Sequence, residues 1–250
     1  MEKLTVAIIA KNEADRISTL LKSASFADEI LVIDSGSTDG TQELCKNLGA
    51  HVIFNEWQGY AAQKQFAMEQ ASSEWVLSLD ADEEISEELA KEIKNAITYA
   101  KEDVSAFSMP RLSKYLGQWI RHGGWYPDRK VRLIRREKGK WEGTIHEKLI
   151  VDGKTEKLYA PIFHYTYRGI KDQLVTINSF TEIFAENMGP KSGFWVFWGL
   201  IRAFIKFFEC YIYKLGILDG IAGFIIAVNS SWAVFLRYAK AWELNLIKKE

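Results

Sequence analysis

Seven residues in succession, Leu4–Ala10, carry no charge, and the run stops at Lys11-Asn12-Glu13. A continuous apolar run of this length predicts a strand covered on both faces. Ile17, Leu20, Leu21 and Ala24 then recur at helical spacing. Ile30–Ile33 predicts a second strand that ends at Asp34-Ser35-Gly36-Ser37-Thr38-Asp39-Gly40-Thr41, and a helix follows through Leu44 and Leu48 with Gly49 as its stop. His51–Phe54 reads as a third strand, Ala61–Ala71 as a helix and Trp75–Leu79 as a fourth strand. Ser86 is placed to cap another helix, with Glu87 and Glu88 in its first turn and Leu89, Ile93 and Ile97 on one face. Short alternating units of this kind imply an α/β fold with a twisted parallel sheet and ligands at the carboxyl ends of its strands.

The pattern changes from about Ser105. Short strand-like pieces follow at Ala106–Met109, Val131–Arg135 and Lys148–Val151, with the aromatic-rich stretch Trp119–Tyr126 between the first two. After about Gly169 the chain reads as helical, and from Phe194 to Tyr213 it is dense in aromatic residues punctuated by Arg202, Lys206 and Lys214. Gly220 to Phe235 carries no charge, but Asn229, Ser230 and Ser231 interrupt it. A spanning helix needs about twenty predominantly apolar residues, so a peripheral contact with the headgroup region is the reading favoured here. The competing reading is a helical lid packed on the rest of the chain.

The 250 residues, 48% hydrophobic and 26% charged, suffice for one large domain or one domain with an appendage. A net charge of -1 says little by itself, but from Arg111 to Lys140 there are ten basic residues against Asp128 and Glu137. Such a surplus suits an anionic ligand, unless it is only a solvated basic hairpin. Cys45 and Cys210 cannot build a disulfide framework, which points to a reducing cytosol. The first apolar run is too short for a signal peptide and lacks a cleavage pattern.

Candidate chemistry gathers at strand ends. Val76-Leu77-Ser78-Leu79-Asp80-Ala81-Asp82-Glu83 runs a core strand into carboxylates, an oxygen-rich corner suited to a hard divalent cation and the phosphates it carries. No glycine-rich phosphate loop follows the first strand, which weakens a dinucleotide-binding or nucleotidyl-transferring reading. Asp34 closes the second strand and is placed to accept hydrogen bonds from a base or ribose. Ser37, Thr38 and Asp39 read as turn residues, with Thr38 or Asp39 able to cap the next helix.

Lys11-Asn12-Glu13, then Asp34 to Thr41, then Leu79-Asp80-Ala81-Asp82-Glu83, in this order and spacing, resemble the inverting family 2 glycosyltransferases of GT-A fold. Gly124-Trp125-Tyr126-Pro127-Asp128-Arg129-Lys130-Val131-Arg132-Leu133 and Trp141-Glu142-Gly143-Thr144-Ile145-His146-Glu147 resemble the branch that builds the lipopolysaccharide inner core. The resemblance implies a Rossmann-like mixed, mostly parallel sheet over residues 1–165, a nucleotide-sugar domain, followed by a helical, aromatic-rich region over 166–250 that contacts membrane or acceptor. It implies that Asn12 and Glu13 line the donor, Asp34 the uracil edge and Asp80 the ribose. Asp82 would hold Mg²⁺ or Mn²⁺, with His146 as a candidate second ligand or else a structural histidine. Lys64 would add positive charge near the diphosphate, or is an ordinary exposed helix lysine. Glu147 is the preferred general base and Asp128 the alternative.

The expected partners are a UDP-sugar, with glucose or another hexose, and an anionic glycolipid such as lipid A–core at the cytoplasmic face of the inner membrane. No nucleic acid is expected. Two alternatives stay open: transfer to polyprenyl phosphate, and a catalytically inactive, membrane-tethered GT-A protein that only binds.

Overall fold

Every residue of the first strand, β1 (Leu4–Ala10), is buried, as its unbroken apolar run predicts. The structure is a computed structural model and describes residues 3–143 and 147–247. After β1 come α1 (Ile17–Ser23), β2 (Glu29–Asp34), α2 (Thr41–Asn47), β3 (His51–Phe54), α3 (Tyr60–Gln70), β4 (Trp75–Asp80), β5 (Glu83–Ile85) and α4 (Glu87–Tyr99). Strands β6 (Val104–Tyr115), β7 (Gln118–Trp119), β8 (Asp128–Arg135), β9 (Gly139–Glu142), β10 (Lys148–Val151), β11 (Lys154–Lys157) and β12 (Ile162–His164) follow. The chain ends in helices α5 (Ile170–Met188), α6 (Phe194–Phe208) and α7 (Gly220–Ile247). It divides into two compact units, Met1–Arg111 with Arg129–His164, and Leu112–Asp128 with Tyr165–Glu250. The segment from Leu112 to Asp128, which the sequence assigns to the first domain, therefore groups with the C-terminal helices.

In the first unit the sheet runs β3-β2-β1-β4-β8-β6-β12-β5, with β11 added beside β6. The β3-β2-β1-β4 half is parallel, and β8 then pairs antiparallel with β4. Successive strand residues face opposite sides, so Leu4, Val6 and Ile8 pack with Ile17, Leu20, Leu89 and Ile93 of α1 and α4. Ala7 and Ile9 pack on the other face with Ala67 and Met68 of α3 and with Trp141. In register, Ala10 lies opposite Asp34 and Ile9 opposite Asp80. The carboxyl ends of β1, β2 and β4 thus form one edge, and the motif residues stand along it. Strand β10 coincides with the expected piece Lys148–Val151, whereas β9 and the short strands β5, β11 and β12 lack the alternation that would have announced them.

Helix starts differ in how they are closed. Ser86 Oγ accepts the Leu89 N–H at 3.2 Å, closing an orphan donor at the start of α4. At α2 the cap is instead Gly40, at φ 89°. Neither Thr38 nor Asp39 occupies that position; Asp39 accepts the Thr41 N–H at 3.1 Å from one residue further out.

In the second unit α7 runs unbroken through Asn229, Ser230 and Ser231. Two of the three have their polar groups satisfied against neighbouring helices. Asn229 Nδ2 donates to Gln173 Oε1 at 2.5 Å, and Ser231 Oγ donates to the Ala203 carbonyl at 2.7 Å. Gly199 brings α6 against α7: a Cβ there would stand 2.6 Å from Tyr238 Cβ. Asp219, on the turn before α7, accepts the His122 N–H at 2.8 Å and faces the His122 ring at 3.0 Å. By length and composition alone, Gly216–Ile247 is able to cross a membrane, and most of its apolar window is not buried within the chain.

Trp75 is fully buried at 0% exposure. Trp75→Ala is expected to lower the unfolding free energy by about 3–5 kcal/mol, against about 1 kcal/mol for Ser86→Ala. Urea unfolding followed by far-UV circular dichroism measures both, and equal losses would contradict the packing described.

Candidate active site

The end of β1 and the end of β2 are stitched together by the motif residues themselves. Asn12, with a left-handed φ of 56° that asparagine tolerates, donates its N–H to Ser37 Oγ at 2.8 Å and accepts the Thr38 N–H on its side chain at 2.8 Å. Glu13 N–H donates to Thr41 Oγ1 and Ala14 N–H to Asp39 Oδ2, at 2.9 and 3.1 Å. Asp34, fully buried, accepts on Oδ2 from the Gly36 and Ser37 N–H groups and from Gln42 Nε2, at 2.8, 2.9 and 2.7 Å. Gly36 permits this tight return because its φ is 86°. The other oxygen, Asp34 Oδ1, is buried without a hydrogen-bond partner among the described residues. A buried acceptor left open at a strand edge is a place for an incoming N–H or O–H donor.

A second network lies at the end of β4. Gln63, buried in α3, donates from Nε2 to Ser35 Oγ at 2.8 Å and accepts from Asn55 Nδ2 at 2.8 Å, which fixes the first turn of that helix. The next residue, Lys64, is 1% exposed, far from the exposed helix lysine that is its alternative reading. Its Nζ stands 2.8 Å from Asp80 Oδ1 and 3.0 Å from Glu147 Oε1, above the Trp141 ring. On the far side of Asp80, Arg132 Nη2 reaches Asp80 Oδ2 at 2.7 Å and Glu83 Oε1 at 2.8 Å. Glu83 also accepts the Asp80 N–H at 2.9 Å and lies 3.5 Å from Arg111. Burial works against the charge on Asp80, but Arg132 and Lys64 outweigh it and hold its carboxyl well below the usual carboxylate range. Burial likewise opposes the Arg132 charge, and Asp80 and Glu83 override it and push its pKa up.

Asp82 is treated differently. Its Oδ2 lies 3.4 Å from His164 Nε2 and 3.8 Å from Arg16 Nη1, while Arg16 Nε holds Glu13 at 2.7 Å. His164 ends β12 and pairs in register with Glu83 of β5, which brings its ring to the acidic turn. Among the described residues no three His, Cys, Asp or Glu side chains converge as a closed metal site. One partly exposed carboxylate and one largely buried imidazole nevertheless fit a divalent cation that takes its remaining ligands from a diphosphate or water. Asp80 does not fit that role, because both of its oxygens face cations.

The structure therefore brings Lys64, Asp80 and Glu147 together, sets Asp82 beside His164, and places Asp34, Asn12 and Glu13 on the neighbouring edge. Asp128 opens β8, four residues before Arg132, and falls in the second unit. His146 lies outside the described residues. Sequence reasoning missed His164, Arg132, Arg16 and Glu83 as members of the site. A charged residue inside the apolar run Val131–Ile134 was the available signal for Arg132; for His164 it was only a histidine closing a three-residue strand. The basic segment also changes meaning. Arg111 and Arg132 face the acids just named, Arg135 pairs with Glu74, and Arg136 donates to the Ala71 carbonyl at 2.6 Å. Lys138 and Lys140 pair with Asp152 and Glu142. Most of the surplus is thus spent inside the chain, not displayed as one patch.

Removing Asp80 would leave Lys64 and Arg132 short of a partner, so Asp80→Asn is expected to lose about 3–5 kcal/mol of stability. The native carboxyl titrates below its unfolded value of about 3.9, so its contribution is complete above that pH and is lost as pH falls further. Urea unfolding from pH 7 to pH 3 should show a constant deficit down to about pH 4; a deficit gone by pH 5 would contradict the network.

Residues 5–176 match the family described as Glycosyl transferase family 2. The chain is 32% identical over 262 residues to an uncharacterized glycosyltransferase of Rickettsia prowazekii (strain Madrid E), covering 98% of this chain and 89% of the relative. It is 27% identical over 254 residues to the lipopolysaccharide core biosynthesis glycosyltransferase LpsC of Rhizobium meliloti (strain 1021), covering 98% and 94%. A solved glucosyl-3-phosphoglycerate synthase from Mycobacterium tuberculosis superimposes with a TM-score of 0.47 at 16% identity, over 66% of this chain and 72% of that one. With its mixed, mostly parallel sheet of GT-A type, its helical C-terminal segment and a family match that spans most of its length, the chain belongs to glycosyl transferase family 2 and is a glycosyltransferase.

Proposed function

We propose that the protein is an inverting, metal-dependent transferase that moves a hexose from a UDP-sugar to an anionic glycolipid of the lipid A–core type. The observation that carries this reading is the separation of the two aspartates: Asp80 is held by Lys64 and Arg132, while Asp82 faces His164. On this reading the open oxygen of Asp34 accepts a hydrogen bond from the uracil edge, with Asn12 and Glu13 holding the loop that carries it. Asp80 lies toward the ribose, and Lys64 links it to Glu147. Asp82 and His164 would hold Mg²⁺ or Mn²⁺. When bound, such an ion offsets the negative charge that develops on the departing diphosphate.

The acceptor hydroxyl attacks the anomeric carbon from the face opposite UDP, the bond from that carbon to the phosphate oxygen breaks, and the hydroxyl proton passes to Glu147. UDP leaves with the bonding pair, and the new glycosidic bond has inverted configuration. Lys64, 3.0 Å from Glu147 Oε1, orients that carboxylate. Similarity to LpsC supports the core acceptor. The exposed apolar surface of α6 supports a peripheral place on the cytoplasmic face of the inner membrane. A second reading, transfer to polyprenyl phosphate, is favoured by Gly216–Ile247, which is able to cross a membrane by length and composition; identifying the lipid that gains a labelled sugar separates the two.

Transfer from a panel of UDP-hexoses to truncated core acceptors, followed by mass spectrometry, tests the assignment. Asp82→Ala should abolish transfer that depends on Mn²⁺ or Mg²⁺ while the far-UV spectrum is unchanged, and undiminished turnover would sink the metal assignment. Glu147→Gln should lower kcat by about 10²-fold or more with little change in donor KM, whereas an effect on KM alone would move the base elsewhere.

A further inference from the structure

The second unit contains a cavity of about 580 Å³ between α5, α6 and α7. Its lining holds three cations, Arg202, Lys206 and Arg237, against one acid, Glu209. That acid is already matched twice, by Lys206 at 3.1 Å and by Lys214 at 2.6 Å, and these contacts keep its carboxyl below its ordinary range. The two arginines have no carboxylate partner among the described residues. Arg237 is half-buried over the Phe184 ring, 4.3 Å from its centroid, and its Nε is buried without an acceptor. Burial opposes its charge. One half-buried guanidinium with an unfilled donor and one exposed guanidinium without a carboxylate partner, lining a common space, call for an anion with several acceptor oxygens.

The surface beside the cavity narrows the class of anion. On α6, Phe197, Leu200, Ile201, Phe204, Ile205 and Phe208 recur at spacings of three, one, three, one and three, and all are exposed, Phe197 to 71% and Phe204 to 67%. Trp198, Arg202, Lys206 and Glu209 form the adjoining stripe that lines the cavity, and Ile205 belongs to both. An apolar strip of this length on one helix is a surface for acyl chains or another apolar partner. Here it runs directly into a cationic recess. A soluble phosphate would have no use for the strip, and an uncharged lipid none for the arginines.

We propose that this cavity binds the phosphate-bearing headgroup of a lipid, with Arg202 and Arg237 contacting the phosphate and the acyl chains lying along the apolar stripe of α6. The inference rests on the membrane-contact reading above and gives it a specific ligand chemistry. It requires nothing of the donor site.

Isothermal titration of the full-length protein with dihexanoyl phosphatidic acid, dihexanoyl phosphatidylcholine and inorganic phosphate tests it. Phosphatidic acid should bind at least about tenfold more tightly than either of the other two, as expected for charge-assisted contacts joined to apolar burial. Arg202→Gln, at an exposed and unpaired position, should weaken phosphatidic acid by about tenfold without disturbing the fold, and Arg202→Gln with Arg237→Gln should weaken it further. Equal affinity for phosphatidylcholine, or a double variant that binds as the wild type does, would overturn the proposal. Inorganic phosphate binding as tightly as phosphatidic acid would overturn the lipid source. Co-sedimentation with phosphatidylcholine vesicles keeps the two readings apart. Loss of vesicle binding in Phe197→Ser with Phe204→Ser supports membrane contact even if the cavity fails, and wild-type protein that ignores every vesicle removes membrane contact while the soluble lipid still reports on the cavity.

Discussion

Two buried cations set the terms for the first unit. Lys64 and Arg132 are almost wholly withdrawn from water, and an isolated charge in that position is untenable unless carboxylates meet it. Asp80, Glu83 and Glu147 do so, and in doing so they join α3, the end of β4, the start of β5, β8 and the residue that precedes β10. The consequence for chemistry is a division of labour between neighbouring acids. Asp80 is committed to the fold and stays ionised at any working pH. Asp82, two residues on, lies beyond the reach of both cations and faces His164. A pair of aspartates that looks symmetrical along the chain is asymmetric in space because only one of them closes the strand.

The edge that carries Asp34 is built by a different economy. There the charges are few, and main-chain N–H groups of two loops are satisfied by side chains of the opposite loop: Asn12, Ser37, Asp39 and Thr41. Loops that cannot be covered by a ladder need such partners. The same residues that look like turn formers are cross-links, and they hold Asp34 with one oxygen saturated and one open. That asymmetry, like the one at Asp80 and Asp82, is what turns a strand end into a site.

In the second unit the polar residues inside an apolar helix are explained by packing. Asn229 and Ser231 face α5 and α6 and bond there, so α7 loses nothing by containing them. Large apolar residues of α6 point the other way. Polar groups inside and apolar groups outside is the reverse of an ordinary soluble helix pair, and it supports the peripheral contact and the lipid headgroup site proposed above.

How much of this could be read without coordinates depended on range. The first four strands and their helices were legible from Leu4 to Ile97, because a run buried on both faces and a helix buried on one leave periodic traces. The order of the three motifs, Lys11 to Glu13, Asp34 to Thr41 and Asp80 to Glu83, was enough to suggest the family. The short strands β5, β11 and β12 were not legible, since three or four residues cannot show a period, and with β12 went His164. The basic segment was visible as composition but misleading as a surface, because ion pairs between residues tens of positions apart leave no local pattern. Sequence by itself determined the sheet edge and which residue types stand on it. Only the tertiary structure decided which carboxylate each cation takes, and therefore which acids are left for chemistry, because pairing energy depends on distance and burial and neither is a property of neighbours along the chain.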